Sequence, residues 1–144
     1  MNEEARTMSD KAFFDSNVLI YAMVSGDSRR ERAQRLVAQG GVISVQVLNE
    51  FVAVARRKMR MPWEGLIVAL DAVRILFPSP VSITLNTHEV ALKIAQQYGL
   101  GIYDAQIAAS ALEANCSTLY SEDMQDGQVV DNLLTIRNPF RLPA

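Results

Sequence analysis

The stretch AFFDSNVLIYA, residues 12–22, decides how this chain is read. Ala12-Phe13-Phe14 is an apolar run too short for a helix and suited to a buried strand. Asp15-Ser16-Asn17 interrupts it with residue types that favour turns and helix starts. From Val18 to Ala22 the apolar pattern resumes. A short strand that hands over to a helix through a polar turn is the entry to an α/β fold. It leaves the Asp15 carboxylate at the strand's carboxyl end, where open α/β sheets place their ligands.

The rest of the chain repeats that alternation. Ser28 and Glu31 have capping-box spacing ahead of Ala33, Leu36 and Val37, and Gly40-Gly41 closes that helix. Residues 42–45 are a second strand candidate, followed by a helix over about 46–60. Pro62 suits the first turn of the next helix, which carries Leu66, Ala69, Leu70 and Val73 and ends at Pro78 and Pro80. Residues 81–84 form a weaker third strand. Asn86 and Glu89 have cap spacing for a helix that Gly99 closes. An alanine-rich helix spans about 102–114. Residues 117–120 and 133–136 are further short strands, with a polar turn after the first. Short apolar strands alternating with longer amphipathic helices predict a parallel sheet with helices on both faces.

The 144 residues suit one domain, with residues 1–10 as a polar leader and 11–144 as the folded unit. No apolar run approaches the ~18 residues of a membrane span, and the acidic start is unlike a secretory signal. A cytoplasmic protein is expected. Cys116 is the only cysteine, which rules out an intrachain disulfide or a zinc knuckle. The net charge of −2 argues against a basic nucleic-acid coat. Two basic clusters stand out even so: Arg29, Arg30, Arg32 and Arg35, and Arg56, Arg57, Lys58 and Arg60. Each reads either as a solvated helix face or as a contact to phosphates or a partner.

Four acids occupy positions where charge is expensive: Asp15, Glu50, Asp104 and Asp123. Asp15 and Asp123 fall at predicted strand ends. Glu50 borders the apolar arc that holds Val47, Phe51 and Val54. Asp104 shares a helix face with Ile107, Ala108, Ala111 and Leu112. Burying a carboxylate costs roughly several kcal/mol unless positive charge meets it. Plainer roles exist for each: a helix cap for Asp15, a solvated rim for Glu50, a dipole partner for Asp104, a polar turn for Asp123. Asp126 lies on that same turn. Taken together, grouped hard oxygens suggest a Mg²⁺ or Mn²⁺ site, and such ions activate water for phosphoryl transfer.

Rival chemistries lack their residues. There is no phosphate-binding loop, no HExxH helix and no Gly-x-Ser-x-Gly elbow. His88, the only histidine, sits at a helix start and reads as a surface or capping residue. Trp63 and the methionines read as packing.

Four segments then resemble the PIN-domain nucleases. They are Phe14 to Tyr21, Ser44 to Phe51, Tyr103 to Ala111 and Leu119 to Met124, and Tyr103 to Ala111 is the most specific. Their order and spacing cover about residues 11–140, and the short chain looks most like VapC-type toxins. The resemblance implies a three-layer α/β/α sandwich with a short parallel sheet and Mg²⁺- or Mn²⁺-dependent endoribonuclease activity. It implies Asp15, Glu50, Asp104 and Asp123 as the metal-site acids, with Ser16 and Ser121 as supporting hydroxyls. The fourth position varies in the family, so Asp126 competes with Asp123. The resemblance also implies an RNA substrate, a small antitoxin partner and a homodimer. A catalytically silent module that binds RNA or a protein is the alternative. A DNA-directed flap nuclease ranks below both, because the chain is short for substrate-gripping additions.

Overall fold

The computed structural model of the chain describes residues 11–24 and 26–141. The expected leader at residues 1–10 lies outside them. In chain order the elements are β1 (Ala12–Phe14), α1 (Ser16–Met23), α2 (Arg30–Ala38), α3 (Val45–Arg57), α4 (Trp63–Leu76), α5 (Leu85–Tyr98), α6 (Ile102–Glu113), β2 (Thr118–Tyr120), β3 (Val129–Val130) and β4 (Leu134–Arg137).

The sheet order is β1-β2-β4-β3. β1, β2 and β4 are parallel, with Phe13 opposite Leu119 and Leu119 opposite Ile136. β3 is antiparallel to β4, so the sheet is mixed rather than purely parallel. The extra strand comes from a tight reversal at Asp131 and Asn132, both at positive φ, with Leu133 N–H donating to Val130 O at 3.0 Å. Successive strand residues face opposite sides of a sheet, yet Phe13 and Phe14 are both buried, so both faces are covered. This is the α/β sandwich that the alternating pattern calls for.

The strands expected at 42–45 and 81–84 shrink to single parallel bridges, Phe13 with Val42 and Ser44 with Val81. The reason is local. Ser44 already caps α3, its hydroxyl accepting from Val47 N–H at 3.3 Å, so the extended segment has no room to grow. Thr84 does the same for α5. The cap there is Thr84, not Asn86: Thr84 and Thr87 exchange side-chain-to-backbone bonds at 3.2 Å. Ser28 likewise does not cap α2, which has no side-chain cap at Arg29. Asp27 accepts from Arg29 N–H at 2.9 Å just upstream.

One apolar core unites strands and helices, built around Phe13, Phe14, Leu19, Phe51, Leu66, Ile107, Leu119 and Ile136. Each such side chain contributes about 1.5–3 kcal/mol when fully buried. On α6, Ala105, Ala108, Ala109 and Ala111 are all buried, and their small size lets α5 and the sheet approach closely. Trp63 departs from its packing role: it is 56% exposed, with the Arg56 guanidinium 4.5 Å over its ring. Among the described residues no helix is long and apolar enough to cross a membrane.

Candidate active site

The parallel pairing of β1 with β2 brings two chain turns side by side. Asp15 N–H donates to Tyr120 O at 3.0 Å, which sets Asp15 beside Ser121 at the carboxyl ends of adjacent strands. Asp15 is also the N-cap of α1 and accepts from Ser16 N–H at 2.7 Å through Oδ1. Its Oδ2 accepts from Ser121 Oγ at 2.8 Å. Both carboxylate oxygens are thus engaged, and the residue is only 4% exposed.

Glu50 lies on α3, one turn beyond its start. Its Oε1 accepts from Ser16 Oγ at 3.3 Å and its Oε2 from Gln46 Nε2 at 3.1 Å. Asp104 sits half-buried in the first turn of α6, where the helix dipole favours a negative charge. Asp123 is exposed on the turn after β2 and accepts from Asn17 Nδ2 at 3.2 Å. Asp126 faces elsewhere: it accepts from Asn138 N–H at 2.8 Å and pairs with Arg141 at 3.4 Å. Its carboxylate pins the chain after β4 instead of joining the other acids.

The acids feel one another. Burial lifts the Asp15 carboxyl to about 6; the Ser121 and Ser16 bonds oppose the rise, and the Glu50 and Asp104 charges add to it. Burial first, then Asp104 and Asp123, raises Glu50 against its Gln46 and Ser16 bonds. Asp104 is raised by burial and by Asp123. Among the described residues, no ion pair reaches any of the four. Nor do three of them stand close enough together to clasp one ion. Two carboxylates ~4 Å apart repel by about 4 kcal/mol at an effective dielectric near 20, so separation is their expected arrangement. The donor set consists of carboxylate oxygens backed by hydroxyls and amides. It fits a hard divalent cation and offers nothing to a soft one.

An open groove of about 610 Å³ runs past Ser16, Glu50 and Asp123, with Arg57 and Tyr103 also on its walls. A smaller one of about 230 Å³ shares Ser16, Val54 and Asp123 with it and is also lined by Asn17, Tyr21, Lys58 and Glu122.

Sequence reasoning missed Asn17, Tyr21 and Glu122 around the acids, and had Arg29 only as a member of a basic cluster. Asn17 donates to Asp123 and accepts from Glu122 N–H at 3.2 Å. Tyr21 OH donates to Glu122 Oε1 at 2.6 Å, and Arg29 pairs with Glu122 Oε2 at 2.5 Å. Arg29 also pairs with Asp27 and lies 4.4 Å over the Tyr21 ring. Of the first basic cluster, then, Arg29 holds the turn after β2, and Arg32 donates to Pro139 O. The only signal for this clamp was the Asn in Asp-Ser-Asn, a residue type that bonds nearby backbone. Cys116 is buried, with its thiol pushed up to about 11 by desolvation, so it offers no thiolate near neutral pH.

Comparison with known proteins places these features in context. The PIN domain matches residues 12–126. No match was found among curated protein sequences. Among solved structures, a toxin–antitoxin complex from Klebsiella pneumoniae superposes with a TM-score of 0.66 at 21% identity, covering 92% of this chain and 100% of that one. VapBC2 from Rickettsia felis, bound to a promoter DNA fragment, gives 0.64 at 20% identity over 88% of this chain and 97% of that one. VapC20 from Mycobacterium tuberculosis, described as a Sarcin-Ricin loop cleaving toxin, gives 0.62 at 20% identity over 76% of this chain and 87% of that one. At these identities the likeness is one of fold.

Proposed function

The chain belongs to the PIN-domain family, and from that premise we propose that it is a metal-dependent endoribonuclease hydrolysing RNA phosphodiester bonds. One observation carries the reading. Asp15 is 4% exposed, has no cationic partner among the described residues, and is faced by the charges of Glu50 and Asp104. A carboxylate so placed is ionised at neutral pH at a real energetic cost, and a bound cation offsets that cost.

In this reading Asp15 and Asp104 hold the cation, with Glu50 and Asp123 completing the shell directly or through water. Ser121 and Ser16 N–H fix both oxygens of Asp15. Gln46 and Ser16 Oγ orient Glu50, and Asn17 orients Asp123. Mg²⁺ or Mn²⁺, when bound there, supplies an activated water and offsets the charge that develops on the phosphate. The chain's own part is to anchor each acid separately, Asp15 at a strand end and Asp104 in a helix's first turn, so that a cation would draw held carboxylates together.

The toxin–antitoxin setting of the structural neighbours supports a toxin role with a small protein antitoxin. A self-associating or antitoxin-covered surface is supported by α4, where Ile67, Val68 and Ile75 are exposed.

Purified protein incubated with RNA in Mg²⁺, in Mn²⁺ and in EDTA tests the activity. Fragments that form only with metal are expected. RNA binding without cleavage at any metal concentration would make the chain a silent binding module. Growth arrest on induction of the wild type, relieved by Asp104→Asn, tests the toxin role.

A further inference from the structure

The second basic cluster is only partly consumed by the fold. Arg56 donates to Met61 O at 2.8 Å and covers Trp63. Arg57, one residue on, is exposed in the 610 Å³ groove and has no hydrogen-bond or ion-pair partner among the described residues. The same groove carries Tyr103, the neighbour of Asp104. Tyr103 is 64% exposed and its side chain makes no hydrogen bond or ring contact among the described residues. A groove of this size is within the range of about 300–1,000 Å³ that small-molecule sites occupy.

Each wall asks for a different part of one ligand. The groove's acids, Glu50 and Asp123, repel a phosphodiester, so a neighbouring phosphate needs a cation of its own, and Arg57 is that cation. A guanidinium offers forked donors that match phosphate oxygens. A bare aromatic face offers stacking to any base, and stacking requires a base that is not already stacked in a duplex.

We propose that Tyr103 and Arg57 form a nucleotide subsite beside the carboxylate cluster, taking one unpaired nucleotide with its base on the tyrosine ring and a phosphate on the guanidinium. The subsite gives the groove a preference for single-stranded RNA with little choice of base. This inference rests on the ribonuclease reading above.

The test uses fluorescein-labelled single-stranded RNA and a duplex of the same sequence. Binding is measured on Asp104→Asn protein with Mg²⁺ present, alone and with Tyr103→Ala, Tyr103→Phe or Arg57→Ala. Tyr103→Ala is expected to weaken single-strand binding about tenfold, the usual scale for losing one stacking platform, while duplex binding stays put. Tyr103→Phe, which keeps the ring, should recover most of the loss. Arg57→Ala should reduce the salt dependence by about one phosphate contact. An abasic nucleotide walked along the strand should cost the parent protein at one position and cost Tyr103→Ala nothing further there. Equal binding by Tyr103→Ala and its parent, or equal losses on duplex and single strand, would overturn the subsite and leave the exposed ring as a protein contact. Cleavage by the wild type is scored in parallel. The binding pattern without any cleavage would sink the ribonuclease reading and keep the subsite. Cleavage with no Tyr103 effect on binding would do the reverse, and absence of both would remove both.

Discussion

Asn17 ties the turn after β2 to the start of α1: its Nδ2 donates to Asp123 Oδ2, and its Oδ1 accepts from the neighbouring Glu122 N–H, both at 3.2 Å. One short amide therefore sets the position of the most exposed of the four acids. Groups that orient metal ligands typically matter by 10- to 100-fold in metal affinity. Asn17→Ala is expected to raise the Mn²⁺ concentration for half-maximal cleavage by about tenfold or more, with a smaller effect on the saturated rate. A metal titration of cleavage checks it. An unchanged half-maximal concentration would mean that Asp123 needs no such hold.

The Asp15 carboxyl makes metal-free stability depend on pH. Its pKa rises on folding from an ordinary 3.8 to about 6, so between those values the folded state binds more protons than the unfolded chain. Stability is then greatest below about pH 4 as far as this group is concerned, and falls as pH rises through about 6. The shift corresponds to about 3 kcal/mol. Glu50 and Asp104, raised in the same direction, add to the slope. Metal-free Asp15→Asn should melt higher than the wild type at pH 7 and near it at pH 4. Parallel melting curves across that range would contradict the assignment of burial strain to Asp15.

Ser121 opposes that strain, because its hydroxyl donates to the ionised Asp15. In Ser121→Ala the Asp15 pKa should climb further. The acid limb of metal-dependent cleavage should therefore move to higher pH, with activity at pH 6 falling more than activity at pH 8. A uniform loss at every pH would show that Ser121 acts on geometry alone.

Gly41 lies where the chain passes tightly against β1. At φ +155°, a Cβ there would stand 2.6 Å from Ala12 O and 2.7 Å from a ring carbon of Phe14. The segment must come this close because Val42 N–H donates to Ala12 O at 2.9 Å. Gly41→Ala should cost about 1–3 kcal/mol, the range for overpacking, and lower the melting temperature by several degrees. Gly40→Ala, at φ +85° with open space around it, should cost less. Equal melting temperatures for the two variants would disprove the close-approach argument.

Much of the fold was legible because short apolar runs and helical stripes report burial directly. The Asp-Ser-Asn break gave the β1–α1 junction, and the apolar face around Asp104 gave α6. Cap choice was less legible. Thr84 and Asn86 are both good N-caps, and only the tertiary position of the extended segment decides for Thr84. The β3–β4 hairpin was missed although Asp131-Asn132 suits the positive-φ positions of its three-residue loop, because a strand of two residues has no readable alternation. Around the acids, the sequence carried the residue types but not the partners. That Asn17 meets Asp123 while Asp126 meets Arg141 depends on how two turns pack, which no local pattern encodes.

The central claim is that the acids drive a metal-dependent cleavage of RNA. Its most direct test is the initial rate of cleavage of a single-stranded RNA against Mn²⁺ concentration, for wild type and Asp104→Asn side by side. The wild type should show a saturable rate that EDTA abolishes. The variant should lose roughly 10²- to 10³-fold, the scale of removing one charge-stabilising group, while melting no lower than the wild type. Cleavage by Asp104→Asn at the wild-type rate, or wild-type cleavage that persists in EDTA, would contradict the account.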